Sequence, residues 1–382
     1  MSINQAVQDR YSAAAQEFEL ALCCPVADYD KALLEPIPDE VLERDYGCGD
    51  PSRFVELGDT VLDLGSGGGK ICFIASQIVG KAGKVIGVDR NREMLELAHQ
   101  SAPKVAEHIG YNNVEFRIGN IQDLALDLTL MENWLADHPI KTREDLLDLD
   151  AEQKRLRKEQ PLVADNSVDI VLSNCVLNLV SEEDRLQMFQ ELFRVTKVGG
   201  RVAISDIVCD ETVPQHLKDN DELWSGCISG AFREDEFMQA FADAGFYGVE
   251  LVKRDAKPWQ VVEGIEFRAV TVVAYKGKEG ACLDGKHAVV YPGPWKQVED
   301  DDGHILRRGV REAVCAKTYA ILTRAPYSEH ILGLPPYQEV PHSEQEQMPC
   351  VQVERDPRET KNAELSSDYE VAQDCCAGGG WC

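Results

Sequence analysis

From Thr60 onward the chain alternates between two hydrophobic periods. Thr60–Leu64 (TVLDL) is short, branched and apolar, which reads as a buried strand. Gly65, Gly67, Gly68 and Gly69 then crowd one turn, and helical spacing begins at Lys70. The unit repeats as strand 60–65, helix 70–80, strand 84–89, helix 91–108 and strand 114–119. Such βαβ repetition predicts a parallel sheet with right-handed crossovers. Residues 124–161 interrupt it with a charged, helix-prone insert, read as a surface helical hairpin. The pattern resumes with strand Val168–Asn174, helix 182–196, strand 200–208, helix 233–244 stopped at Gly245, and strands 248–254 and 267–275. The expectation is an α/β, Rossmann-like fold with a seven-stranded, mostly parallel sheet closed by an antiparallel last strand.

The flanks are different. Residues 1–59 read as a helical cap. Val7–Leu22 carries helical spacing that Cys23-Cys24-Pro25 breaks, since proline cannot continue a helix. Tyr46-Gly47-Cys48-Gly49-Asp50-Pro51 is a turn-rich loop presenting a thiol just before the first strand. Residues 60–276 form the predicted main domain. Beyond 277 prolines multiply and Glu299–Asp302 is wholly acidic. Residues 277–335 read as a small C-terminal subdomain, and 336–382 as a flexible tail ending in Cys375, Cys376 and Cys382.

Composition narrows the function. A formal charge of −28 over 382 residues argues against a nucleic-acid partner, which needs clustered Lys and Arg. No run approaches the roughly 20 apolar residues that span a bilayer. The start, MSINQAVQDRY, lacks the basic and apolar regions of a secretory signal. A cytoplasmic protein with no membrane partner is expected. Thirteen cysteines, an odd count in a long chain, favour soft-metal or redox work over a disulfide scaffold. Cys72, Cys209, Cys282 and Cys315 read as small buried hydrophobes.

The glycine turn suits a cofactor laid against bare backbone at a helix N-terminus. Asp89 ends the next strand about 20 residues on, where ribose hydroxyls are bound in doubly wound sheets. An acid inside the first strand, the spacing G-S-G-G-G and a later strand ending Ser173-Asn174 favour S-adenosylmethionine over a dinucleotide. The candidate cofactor residues are Asp63, Gly65, Gly67 and Gly69 at the methionine end, Asp89 on the ribose, and Ser173 and Asn174 on the methionine portion. Three cysteines belong to the same rim of the sheet. Cys175 follows the fourth strand, Cys227 lies in the connection after the fifth, and Cys48 precedes the first.

Residues 40–275 resemble the arsenite S-adenosylmethionine methyltransferases. The matching pieces are Tyr46-Gly47-Cys48-Gly49, Val61-Leu62-Asp63-Leu64-Gly65 with its glycines, Ser173-Asn174-Cys175 with Asn178-Leu179, and Cys227-Ile228-Ser229-Gly230-Ala231. The resemblance implies that Cys48, Cys175 and Cys227 hold trivalent arsenic, with arsenite and methylated arsenicals as substrates. It implies a disulfide between Cys48 and an upstream cysteine, Cys23 or Cys24, reset by an external thiol such as thioredoxin or glutathione. It places Asn120, Ile121 and Gln122 against the adenine. It suggests arsenic detoxification or formation of an arsenosugar precursor, and a monomer is expected. Soft thiolates suit a thiophilic centre. Two other functions fit parts of the pattern: a methyltransferase for a small organic molecule such as a quinone or sterol-like lipid, and a thiol-rich metalloid-binding protein.

Overall fold

The computed structural model describes residues 3–14, 29–349 and 353–361. The expected pair Cys23 and Cys24 and the cysteines of the C-terminal tail lie outside them. The chain divides into two compact units, the first ending at Gly277 and the second beginning at Lys278.

The first unit is built on one sheet. Its strands are β1 (Thr60–Leu64), β2 (Lys84–Asp89), β3 (Val114–Ile118), β4 (Val168–Asn174), β5 (Thr196–Cys209), β6 (Phe232–Arg233), β7 (Tyr247–Arg254), β8 (Gln260–Val262) and β9 (Ile265–Tyr275). The main path runs β3-β2-β1-β4-β5-β9-β7, with the short β6 on β5 and β8 on β9. Strands β1 to β5 pair in parallel, and β9 lies antiparallel between β5 and β7. This is an open, doubly wound sheet with one antiparallel strand inserted near its end. The strand order reverses between β1 and β4, which opens a crevice at their carboxyl ends.

Period-two alternation divides the core between the two faces. Leu62, Leu64, Ile86, Val88 and Val171 pack on one face against Met188, Phe189 and Leu192 of helix Glu182–Val195 and Phe237 and Phe241 of helix Glu234–Asp243. Val61, Val85, Ile170 and Leu172 pack on the other against Phe73 and Ile74 of helix Lys70–Val79. Asp63 shares the parity of Val61, so it too faces the Lys70 helix.

The insert is a helical hairpin, Leu128–Asp137 and Arg143–Glu159. It has its own small core of Leu126, Met131 and Leu156, and Thr142 with Asp145 forms a capping box at its second helix. Among the described residues, no helix is long and apolar enough to cross a membrane.

The second unit is a set of short antiparallel pairings: β10 (Leu283–Asp284), β11 (Ala288–Val290), β12 (Gln297–Glu299), β13 (Ile305–Arg307), β14 (Glu312–Ala313), β15 (Leu332–Leu334) and β16 (Glu346–Gln347). β11 is flanked by β14 and β15, β12 pairs with β13, and β10 pairs with β16. Val289, Tyr291, Leu306, Val314, Leu322 and Ile331 form its core. The expected boundary at 335, with a flexible tail beginning at 336, is corrected here. β16 completes a sheet with β10, and Ala313 N donates to Val353 O at 2.8 Å. Arg355 is buried and donates to Asp284 at 2.7 and 3.2 Å and to Glu359 at 2.5 Å. The low periodicity of this stretch hid a segment held by backbone pairing and one buried guanidinium.

Arg355→Ala leaves the Asp284 carboxylate without its main partner inside the second unit. The expected cost is about 2–4 kcal/mol, because removing one member of a buried pair strands the other. Limited proteolysis should show faster cleavage within 278–361, with S-adenosylmethionine binding by the first unit unchanged.

Candidate active site

The cavity at the β1/β4 crevice is built from the glycine turn upward. Gly65 N and Ser66 N both donate to Val88 O, at 2.8 and 3.1 Å, which folds the chain sharply off β1 onto β2. Gly65 has φ 66°, and a Cβ there would strike Val176, so this position needs glycine. Gly67 N donates to Asp89 Oδ2 at 2.9 Å and Asn91 N to Asp89 Oδ1 at 2.7 Å. Asp89 is thereby locked at the rim, while Asn91, not Asp89, caps the next helix by accepting from Met94 N. Burial raises the Asp89 carboxyl above its ordinary value against these amide donors.

Asp63 is almost fully buried and lines the same cavity. Burial pushes its carboxyl up to about 7; the Cys72 thiol, which donates to Oδ2 at 3.2 Å, opposes that shift, and Asp89 and Asp45 add to it. Cys72 belongs to the core as expected, yet its thiol also fixes the Asp63 rotamer, a role that helical spacing does not reveal. Lys70 lines the cavity too. Its ammonium pairs with Asp45 at 2.6 Å and sits 3.7 Å above the Tyr29 ring.

Of the expected cofactor residues, Asp63, Gly65, Gly67, Asp89, Ile121, Gln122 and Asn174 line this cavity. Three do not. Gly69 caps the Lys70 helix with φ 93° and packs against Phe73 and Phe116. Asn120 turns back to bridge Asp123, and Gly119 lines the wall instead. Ser173 is fully buried within the sheet, its hydroxyl donating to Leu64 O at 3.3 Å. Period two aims it into the core, although sequence position puts it at the rim.

The remaining residues fit S-adenosylmethionine. The cleft has about 1110 Å³ of empty volume, its open mouth included. It presents the carboxylates of Asp63 and Asp89, the Asp45–Lys70 pair, and a backbone turn on which a ligand can lie. Ser66 Oγ is a buried hydroxyl with no hydrogen-bond partner, placed in this wall.

Asn174 lines the cavity but is committed to a different task. Its Oδ1 accepts from Cys48 N at 2.9 Å and Gly49 N at 3.0 Å, and its Nδ2 donates to Gly49 O at 2.9 Å and Tyr29 Oη at 3.2 Å. Tyr29 in turn donates to Gly49 O at 2.6 Å. A Cβ on Gly47 would run into the Asn174 side chain, so the loop approaches β4 only because that residue is glycine. One amide thus clamps the Cys48 loop onto the end of β4.

The clamp brings the three cysteine segments together. Cys48, Cys175 and Cys227 are buried in one cluster with Ile207, Val213 and Phe267. Cys175 and Cys227 both have φ 61°, a left-handed backbone that non-glycine residues rarely adopt. Cys175 is held by its own N–H to Ser205 O at 2.8 Å. The turn beyond it hangs on Asp206, which accepts from Leu177 N at 2.9 Å and Asn178 Nδ2 at 2.8 Å. Burial pushes Asp206 up to about 7. Cys227 Sγ donates to Cys175 O at 3.2 Å.

One expectation about these thiols is corrected. Cys48 and Cys175 are joined to each other by a disulfide, with Cα atoms 5.8 Å apart, while Cys23 and Cys24, the expected upstream partners of Cys48, lie outside the described residues. In this bonded state no three His, Cys, Asp or Glu side chains among the described residues form a ligand set. Cys209 stays inert, its thiol pushed up to about 12 by burial and donating to Phe232 O at 3.3 Å. Cys282 is only half-buried, not a core residue.

The N-terminal helix, Ile3–Ala14, is the main feature that sequence reasoning missed. Val7, Gln8 and Tyr11 line the cavity from above, and Asn91 Nδ2 donates to Ser12 Oγ at 3.0 Å. Its amphipathic spacing was visible; its place over the cavity was not.

The fold and this cavity define an S-adenosylmethionine-dependent class I methyltransferase. Residues 56–141 and 135–245 match the family described as a methyltransferase domain, and 278–365 match a domain of unknown function, DUF8838. The chain is 30% identical over 346 residues to an arsenite methyltransferase of Aquipseudomonas alcaligenes, covering 86% of this chain and 90% of that one. It is 29% identical over 325 residues to the arsenite methyltransferase of Mus musculus, covering 81% and 76%. An arsenic(III) S-adenosylmethionine methyltransferase from Chlamydomonas reinhardtii has the same fold, with a TM-score of 0.56 at 24% identity over 86% of this chain and 99% of that one. The chain belongs to the arsenite methyltransferase family.

Two outcomes follow from this geometry. Asn174→Ala removes the acceptor for two loop amides and is expected to cost about 2–4 kcal/mol, with chemical denaturation as the readout. It should also slow Cys48–Cys175 disulfide formation in the reduced chain, followed by mass spectrometry. Asp63, half-protonated near pH 7, must ionise to favour a cationic sulfonium ligand. The Kd for S-adenosylmethionine should therefore rise as pH falls from 8 to 6, approaching about tenfold per pH unit below the pKa. Calorimetry across that range should show the slope flattened in Asp63→Asn.

Proposed function

We propose that this chain transfers methyl groups from S-adenosylmethionine to trivalent arsenic held by the sulfurs of Cys48, Cys175 and Cys227. The observation that carries the reading is the gathering of three sequence-distant cysteines beside the cofactor cavity, two of them on left-handed backbone. Strain of about 1–3 kcal/mol per residue persists where the surroundings hold it and a site uses it.

Cys48 and Cys175 are bonded as a disulfide, which on this reading is the oxidised form. An external thiol, of the thioredoxin or glutathione class, reduces the Cys48–Cys175 disulfide: two electrons and two protons enter, and two thiols appear. Arsenite then exchanges its three hydroxyls for three thiolates with loss of three waters. The thiolates fix a pyramid whose lone pair is aimed by the protein, so no general base is required. The cofactor supplies a methyl group on a sulfonium, and arsenic becomes formally pentavalent as it takes it. Two thiolate sulfurs return the electron pair to arsenic by coupling to each other, and water or an external thiol, losing a proton, fills the vacated position on arsenic. Cys48 and Cys175 suit that step, because they already meet as a disulfide. Methylated trivalent arsenic stays on Cys227 until water or an external thiol displaces it.

The test is arsenic speciation after incubating the reduced protein with arsenite, S-adenosylmethionine and a thiol. Methylated arsenic is expected from the native chain and none without the thiol. Cys227→Ser should lose roughly 100-fold or more of the first methylation, the scale of a lost ligand position, with cofactor affinity unchanged. Arsenite binding without product would instead favour a metalloid-binding protein.

A further inference from the structure

The N-terminal helix touches both halves of the site. On the cofactor side, Val7 and Gln8 line the cavity and Ser12 is tied to Asn91, two residues from Asp89. On the thiol side, Arg10 donates to Glu222 O at 2.8 Å and Ser225 Oγ at 3.0 Å, in the turn just before Cys227. Tyr11 stands between them. Its ring lies edge-on to Tyr46, centroids 6.2 Å apart, and the Tyr46 hydroxyl donates to Ala14 O at 3.0 Å. Its own hydroxyl is 3.9 Å from Cys227 Sγ.

The direction of that contact follows from the neighbours. Cys227 Sγ spends its proton on Cys175 O. The sulfur is then the acceptor and the Tyr11 hydroxyl the donor. Burial, and secondarily Cys227 itself, push the Tyr11 hydroxyl well above its ordinary range, so it keeps its proton. The other charged and titratable groups here are Arg10 on the same helix, Asp206 on β5, and Arg185, whose guanidinium lies 5.8 Å from the Trp224 ring and donates to Gly230 O.

We infer that Tyr11 is a positioning residue for Cys227, donating a hydrogen bond to its sulfur, and that its helix makes this contact depend on the bound cofactor. A donor to sulfur favours the thiolate that arsenic needs. Cofactor seated under Val7 and Gln8 holds the helix down, which holds Tyr11 on the sulfur. The third ligand is thereby set only when the methyl donor is present. The arsenic part of this inference rests on the proposed function; the contact and its cofactor dependence do not.

The experiment measures the pH profile of Cys227 alkylation by iodoacetamide in the reduced full-length chain, by peptide mass spectrometry, with and without S-adenosylmethionine. In the native protein the cofactor should lower the midpoint. Tyr11→Phe keeps the ring packing and should raise the midpoint by roughly half a pH unit or more, about threefold less thiolate at neutral pH, and abolish the cofactor effect. A far-UV circular dichroism spectrum and thermal midpoint matching native would show that the variant is folded. In turnover, its KM for arsenite should rise. An unchanged midpoint in Tyr11→Phe overturns the positioning role, and a native midpoint indifferent to cofactor overturns the coupling. Midpoint shifts in a chain that makes no methylated arsenic would sustain the inference and defeat the proposed function.

Discussion

The site depends on one side-chain amide. Asn174 terminates β4 and spends both ends on the loop at 46–50, accepting two backbone N–H bonds and returning one to Gly49 O. Cys175 is the very next residue after the clamp, so these bonds carry the Cys48 loop to it. The arrangement works because the loop is bare where it lands: Gly47 and Gly49 press against Asn174 and Ser205 where any Cβ would intrude. Three hydrogen bonds at Asn174 and two missing side chains thus convert 127 residues of sequence separation into a bond.

The rest of the site is the ordinary consequence of a doubly wound sheet. Reversal of strand order between β1 and β4 leaves their carboxyl ends open, and two of the carboxylates of the cavity, Asp63 and Asp89, come from neighbouring strands. Burial holds both above their ordinary values. A cationic ligand is the natural complement, since it repays the desolvation that the apo cavity imposes on them.

Much of this was legible in the sequence because it follows from local rules. Period two and period 3.6 located the strands and helices, the glycine turn located the cofactor loop, and placement at strand ends located Cys175. What stayed hidden depends on orientation or on partners far away. Ser173 and Asn174 are adjacent at a strand end, and period two sends them opposite ways, one into the sheet; that the other clamps a loop 125 residues earlier in the chain shows only in tertiary contacts. The N-terminal helix reads as amphipathic, but only tertiary contacts show that its inward face covers the cavity. Residues 336–361 look featureless because their order comes from β16 pairing and buried Arg355, not from hydrophobic periodicity.

The pairing of Cys48 with Cys175 has a consequence for how the chemistry is ordered. On the proposed reading, a disulfide and an arsenic–dithiolate need the same two sulfurs, so oxidation and substrate binding exclude each other. The left-handed backbone of Cys175 is fixed by Ser205 O and the Asp206-held turn beyond it, whichever partner its sulfur has. Movement between the two states therefore falls on the Cys48 loop, which is attached through Asn174 and not through covalent neighbours in the sheet. Under the proposed function, Cys227, outside that pair, is the sulfur that retains arsenic while the other two exchange electrons. A site with two redox-paired thiols and one holding thiol can pass through oxidation without releasing its substrate, which three equivalent thiols cannot do.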